Sequence, residues 1–300
     1  MKSASTSLKT DVYTRVTNRI VADLERGTRP WLKPWNIGNM GNRITRPLRH
    51  NGAPYQGVNI LLLWADAMEK GFSSSIWMTY KQAESIGAHV RKGEHGSLVV
   101  YADRLTCTES NDKGEEIERE IPFMKGYTVF NVEQIEGLPA QYSVKPEPEA
   151  EPFPLIEKAE QFFNRTGAKF QYGGNRAFYA SIQDFIQLPP PPAFRDAESY
   201  AATKAHELIH WTGNRERLAR EFGKRFGDSA YAREELVAEL GAAFLCADLG
   251  ITPEPREDHA AYLAHWLNIL KEDKRAIFSA ASHAQKAADY LHSLQGRKTS

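Results

Sequence analysis

The stretch Ala201–Gly213 reads AATKAHELIHWTG and has the pattern of a helix. His206 and His210 stand one turn apart, so on a helix both imidazoles point to the same side. Two neutral imidazoles at that spacing clamp one Zn²⁺, or another divalent transition metal, with Glu207 projecting beside them. This is the H-E-x-x-H arrangement, in which the glutamate takes a proton from a water that the ion polarises. The alternative is an amphipathic helix with two solvated histidines, and the sequence downstream weighs against it.

A catalytic zinc keeps three protein ligands and one open position. The segment Tyr231–Leu245, YAREELVAELGAAFL, offers the third. It is strongly helical, and Glu235 and Glu239 lie one turn apart among Ala238, Gly241, Ala242 and Ala243. Carboxylates among small apolar residues are costly to bury without a partner, and a metal or a metal-bound histidine is such a partner. Glu234 reads instead as part of a solvated acidic stripe. H-E-x-x-H followed by a helix with Glu-x-x-x-Glu resembles the gluzincin metallopeptidases. That resemblance implies Glu235 as a metal ligand and Glu239 as the acid that orients a ligand histidine. HELIHWTGNRE also resembles the metzincin pattern, whose third ligand falls on Glu216, where this chain has Glu and not His. The charged context GNRERLAR favours Glu235.

The 300 residues suggest two domains, and the formal net charge is zero. Residues 1–104 hold 15 Lys and Arg against 8 Asp and Glu, residues 105–154 hold 4 against 11, and the rest balance at 19 each. A basic first third points to an anionic partner there. Cys107 and Cys246 are too few and too far apart for a disulfide framework, which fits a reducing cytoplasm. The N-terminus MKSASTSLKT lacks the apolar core of a signal peptide. The apolar run Ile60–Ala65 is too short to span a bilayer, so no membrane association is expected.

Along the chain, Val12, Val16, Ile20 and Leu24 predict a helix that Gly27 ends. Residues 28–57 are rich in Pro, Gly and Asn and read as one long loop. This loop interleaves Trp31, Trp35 and Tyr55 with Arg29, Lys33, Arg43, Arg46 and Arg49. Rings that stack on bases and cations that follow phosphates suit single-stranded nucleic acid. The same tryptophans would equally well anchor the loop to the core. Arg91 and Lys92 in HVRKGEHG extend the basic set. Helices are expected over Val58–Gly71 and over Ile76–Gly87, the latter with Thr79 as a plausible N-cap. Strands follow on both sides of the NDKG turn at 111–114, with an acidic hairpin tip.

RPWLKPWN, PYQGVNILLLW and WMTYKQAESIGAHVRKGEHG resemble the N-terminal domain of ArdC-type antirestriction proteins, a domain that also occurs in plasmid conjugation primases. HELIHWTGNRERLAR with YAREELVAELGAAFL is similar to the zincin-like metallopeptidase domain that follows it in that family. The resemblance implies single-stranded DNA binding by the first domain and protection of transferred plasmid DNA from host restriction during conjugation.

The expected architecture is therefore α+β. An α+β DNA-binding domain spans 1–140, a Pro/Glu-rich linker 141–154, and a gluzincin-type zincin-like domain 155–300, with the two domains folding autonomously. In the second domain a helix from Pro154 should end at Gly167. Short strands around the Gly173–Asn175 turn should form a sheet whose edge can pair with an extended peptide. Helices over Tyr262–Leu270 and Asp273–Leu294 should close the chain. Tyr179, Tyr231, His259 and His265 are candidates for stabilising an oxyanion. A host restriction protein, or another protein, would be the substrate. Two other functions fit the same residues: a DNA-binding factor whose metal is structural, and a metal-dependent DNA-processing enzyme.

Overall fold

The structure, a computed structural model, describes residues 11–29, 31, 45–110, 116–142, 152–221, 229–251 and 259–296. It is α+β. Helix α1, Val12–Glu25, starts where the Asp11 side chain accepts the Thr14 N–H at 2.9 Å, and its chain turns away at Gly27, whose φ is +75°. Val16, Ile20 and Leu24 are fully buried, a contribution of about 1.5–3 kcal/mol each. The two-residue strand β1, Leu48–Arg49, leads to helix α2, Val58–Lys70, capped by Gly71 at φ +71°. The apolar run inside α2 is buried in the protein. Among the described residues no helix is long and apolar enough to cross a membrane.

The expected helix at Ile76–Gly87 is shorter than its pattern. Ile76–Met78 form strand β2, and helix α3 occupies Tyr80–Ser85, behind a reciprocal cap between Thr79 and Gln82. The cause is pairing with a distant partner: Trp77 and Met78 register against Asn131 and Phe130. Those residues close strand β5. After the short β3, His89–Val90, β4 (Ser97–Ser110) and β5 (Glu116–Asn131) form a long antiparallel hairpin, and the sheet runs β1-β2-β5-β4. The NDKG turn lies outside the described residues. Strand β6, Ile135–Glu136, pairs with β3.

Helix α4, Pro152–Arg165, opens the second half, and Gly167 follows it at φ +76°. Strands β7 (Phe170–Tyr172), β8 (Phe178–Ala180) and β9 (Phe185–Leu188) make a sheet of order β7-β9-β8. The Gly173–Asn175 turn therefore joins strands that do not pair with each other; β9 lies between them. The chain then enters α5, Ala197–Thr212, whose first turn is capped by Asp196 accepting from Ser199 N–H at 2.7 Å. Helices α6 (Ser229–Leu249), α7 (His259–Glu272) and α8 (Ala276–Ser293) complete the fold.

Two independent cores were expected, but one continuous apolar cluster runs from Val16 and Leu63 through Leu208 and Leu236 to Leu291. Helix α1 lies along α7, and the Thr17 hydroxyl donates to Lys274 O at 2.7 Å. Arg46 is buried in a fork with Asp248 of α6 and reaches Gln285 of α8 at 3.1 Å. An amphipathic α1 has too little surface of its own to bury its stripe, so it borrows the helical layer of the second half. Residues 143–151 of the Pro/Glu-rich linker lie outside the described residues. Cutting the chain there should leave two fragments that co-elute on size exclusion and melt in one transition. Fragments that separate and remain folded would contradict the shared core.

Candidate metal centre

Helix α5 presents His206, Glu207 and His210, all buried, toward α6. The two Nε2 atoms stand 3.2 Å apart. Glu235 of α6 faces both, with Oε2 at 3.5 Å from His206 Nε2 and Oε1 at 3.4 Å from His210 Nε2. These donors form the group able to hold a metal among the described residues. A tetrahedral zinc with bonds of about 2.0–2.1 Å places its ligands about 3.3–3.4 Å apart. The spacings lie close to that value, with one Glu235 oxygen toward each histidine, so the chemistry of the donor set suits such an ion.

The Nδ1 atoms point away from this centre, each toward a carboxylate. His206 Nδ1 lies 3.8 Å from Glu239 Oε2. His210 Nδ1 lies 3.2 Å from Glu234 Oε1. Glu234 is thus not part of a solvated stripe. It is 5% exposed and takes a fork of bonds from Arg220, Nε to Oε2 at 3.0 Å and Nη2 to Oε1 at 2.8 Å. Arg220 also donates to Ile209 O at 2.6 Å and to the Thr212 hydroxyl at 2.8 Å, tying the end of α5 to α6. Sequence reasoning missed this pair. The signal was present in the adjacent acids Glu234–Glu235 and in the arginines of GNRERLAR. Burial alone would raise the Glu234 and Glu235 carboxyls, but the histidines, with Arg220 beside Glu234, hold both below the usual range. Burial would lower His210, but Glu235 and Glu234 carry it up to about 10.

The donors open on a cleft of about 430 Å³, with Glu207, Tyr231 and Tyr262 on its walls and Phe178–Tyr179 of β8 along one side. The hydroxyls of Tyr231 and Tyr262 meet at 3.3 Å. Burial pushes the Tyr231 phenol above its ordinary range. Tyr179 is committed elsewhere: its hydroxyl donates to Asp184 at 2.7 Å and accepts from Asn214 at 2.7 Å and Arg217 at 3.1 Å. His265 does not line the cleft, and the side chain of His259 lies outside the described residues. Glu216, the alternative third ligand, is exposed and also outside the cleft.

The residues expected to contact nucleic acid fall into three groups. Trp31 and Tyr55 are buried, 1% and 7% exposed, so neither ring is open to a base, and Arg46 is bound to Asp248. Arg29 is half-buried; Arg49, whose guanidinium lies 5.4 Å from the Tyr55 ring centre, and Arg91 and Lys92 are exposed. Lys33, Trp35 and Arg43 lie outside the described residues. Exposed rings occur instead on the hairpin. Tyr101 and Tyr127 meet edge-on at 6.3 Å on one face of β4 and β5, beside Lys125.

Comparison with known proteins agrees with both halves. Residues 157–283 match the family described as zincin-like metallopeptidase, and residues 10–130 match the N-terminal domain of anti-restriction factor ArdC. The uncharacterized protein y4eC of Sinorhizobium fredii is 42% identical over 293 residues, covering 95% of this chain and 93% of its own. A DNA primase TraC of Escherichia coli is 36% identical over 307 residues, covering 97% of this chain but only 28% of the primase. Among solved structures, the metal-free antirestriction protein ArdC from plasmid R388 superposes with a TM-score of 0.79 at 46% identity, covering 95% of this chain and 98% of that one. Its Mn(II)-bound structure gives 0.78 at 44%, covering 96% and 99%. With both halves matched, and with y4eC and the R388 ArdC protein each aligned over nearly its whole length, this chain belongs to the ArdC-type antirestriction family.

Proposed function

We propose that this protein guards plasmid DNA arriving by conjugation against host restriction, binding single-stranded DNA through its first 130 residues and hydrolysing a host protein in the cleft on α5 and α6. One observation carries the reading. Two imidazoles and a carboxylate converge within 4.8 Å beside Glu207, on the floor of an open cleft. A structural site would be closed by a fourth protein ligand. A DNA-processing site built on Mg²⁺ would gather oxygen ligands, whereas imidazoles suit zinc and its neighbours. That the R388 relative has a Mn(II)-bound structure supports a divalent ion in proteins of this kind. The reaction would occur in the cytoplasm, where incoming DNA meets restriction.

His206, His210 and Glu235 would hold the ion. Bound there, it supplies a Lewis acid that polarises a carbonyl and lowers the pKa of a water. The chain does the rest. Glu207 accepts the proton of the attacking water and passes it to the leaving amine. The edge strand β8 offers backbone groups that can pair with an extended peptide and align its scissile bond over the cleft floor. Tyr231, whose hydroxyl stands on the cleft wall, donates to the oxygen that gains charge. Glu234, 3.2 Å from His210 Nδ1, would fix that imidazole plane, and Glu239 faces His206 Nδ1 at 3.8 Å, placed to orient the second.

Glu235→Ala should lose most bound zinc, while Glu234→Ala and Glu239→Ala should each weaken binding by about 10–100-fold, read by chelator competition. Glu207→Gln should keep the metal. Intact-mass analysis of a host lysate should show metal-dependent cleavage products with wild type and none with Glu207→Gln. Identical lysates in both arms would remove the peptidase reading.

For DNA, the basic first third and the exposed Tyr101–Tyr127 pair support the interface. Affinity for an oligonucleotide should fall with salt at a log–log slope of roughly −0.7 per phosphate contact. Replacing Tyr101 and Tyr127 together by Ala should cost about 1–3 kcal/mol per stacked base, while Trp35→Ala tests the remaining loop tryptophan in the same titration. Binding that ignores salt would contradict this.

A further inference from the structure

Trp31 belongs by sequence to the basic stretch, yet its ring lies deep in the second half. It is 1% exposed and meets Trp266 of α7 edge-on at 6.1 Å. Trp266 is itself held: its Nε1–H donates to Ala232 O at 3.0 Å, and its ring stacks on Tyr262, a wall of the cleft, at 6.1 Å and 18°. Against this fixed surface the Trp31 Nε1–H donates to Glu239 Oε1 at 3.3 Å, across 208 residues of chain. The other oxygen of that carboxylate faces His206 Nδ1 at 3.8 Å.

A carboxylate is planar, so holding one oxygen restricts where the other can be. The 3.8 Å to His206 exceeds hydrogen-bond length. A donor on the opposite side keeps Glu239 turned toward the imidazole without drawing charge away from it, because an indole N–H is neutral and donates only. A lysine or arginine in that place would compete with the histidine for the carboxylate.

We infer that Trp31 is a positioning residue of the metal centre: it sets Glu239, Glu239 sets the plane of His206, and the N-terminal segment thereby completes a site built on helices of the C-terminal half. The inference rests on the reading of His206, His210 and Glu235 as metal ligands. It differs from a packing role in its consequences. Phenylalanine keeps an aromatic ring against Trp266 but removes the N–H together with part of the indole, so its packing cost is read separately as the melting temperature in chelator, and a packing role alone leaves metal affinity unchanged in the folded protein.

The test uses the full chain and Zn²⁺ alone, with affinity read by chelator competition for wild type, Trp31→Phe, Glu239→Ala and the double variant. Thermal melting in excess chelator reports the fold separately. Trp31→Phe should weaken Zn²⁺ about 5–10-fold, less than direct loss of Glu239. In the Glu239→Ala background the same change should have no further effect, since its route to the metal is gone. Unchanged affinity with a lowered melting temperature, or losses that multiply in the double variant, would overturn the inference. Wild type that binds no Zn²⁺ would overturn the ligand assignment itself, and this inference with it.

Discussion

The close approach of α5 and α6 is the constraint on which the rest of the site depends. A Cβ at Gly241 would stand 2.9 Å from the side chain of Ile209, a fully buried residue one position before His210. Glycine in a helix interior costs about 1 kcal/mol against alanine, and here that cost permits backbones close enough for a short carboxylate side chain to reach both imidazoles. Ala238, Ala242 and Ala243 keep the neighbouring surface low.

Packing this close buries charge. Glu234, Glu235 and Glu239 are each under a tenth exposed, which for isolated carboxylates would be prohibitive. Each is met from a different direction: Glu234 by Arg220 and His210, Glu235 by both histidines, Glu239 by His206 and the Trp31 N–H. The partners come from the turn after α5, from α5 itself and from the N-terminal segment. The supports of the site thus come from both halves, which also share one apolar cluster. Trp31 and Arg46 are each fastened to α6, through Glu239 and Asp248.

The local parts of this arrangement were legible in the sequence. HELIH declares itself because a turn of helix needs no distant partner to align two histidines. Glu235 and Glu239 follow from helical spacing among small residues. What escaped depends on which face a helix turns to a remote neighbour. Glu234 looks the same whether solvated or bound by Arg220, and Arg220 reaches it across the turn after α5. Trp31, Arg46 and Tyr55 interleave as nucleic-acid contacts do, yet these three point inward. Ile76–Met78 carried a helical pattern until pairing with Asn131 and Phe130 drew it into a sheet. In each case the decisive contact lies between residues that local patterning does not connect.

The central claim is that one ion sits between α5 and α6, held by a carboxylate from α6. Anomalous scattering at the zinc edge, on crystals of the full chain grown with Zn²⁺, tests it most directly. The account predicts a single strong peak within about 2.0–2.2 Å of His206 Nε2, His210 Nε2 and a Glu235 oxygen, with the fourth direction facing the cleft. A peak ligated by Glu216 instead, or a fourth protein side chain closing the site, would contradict it.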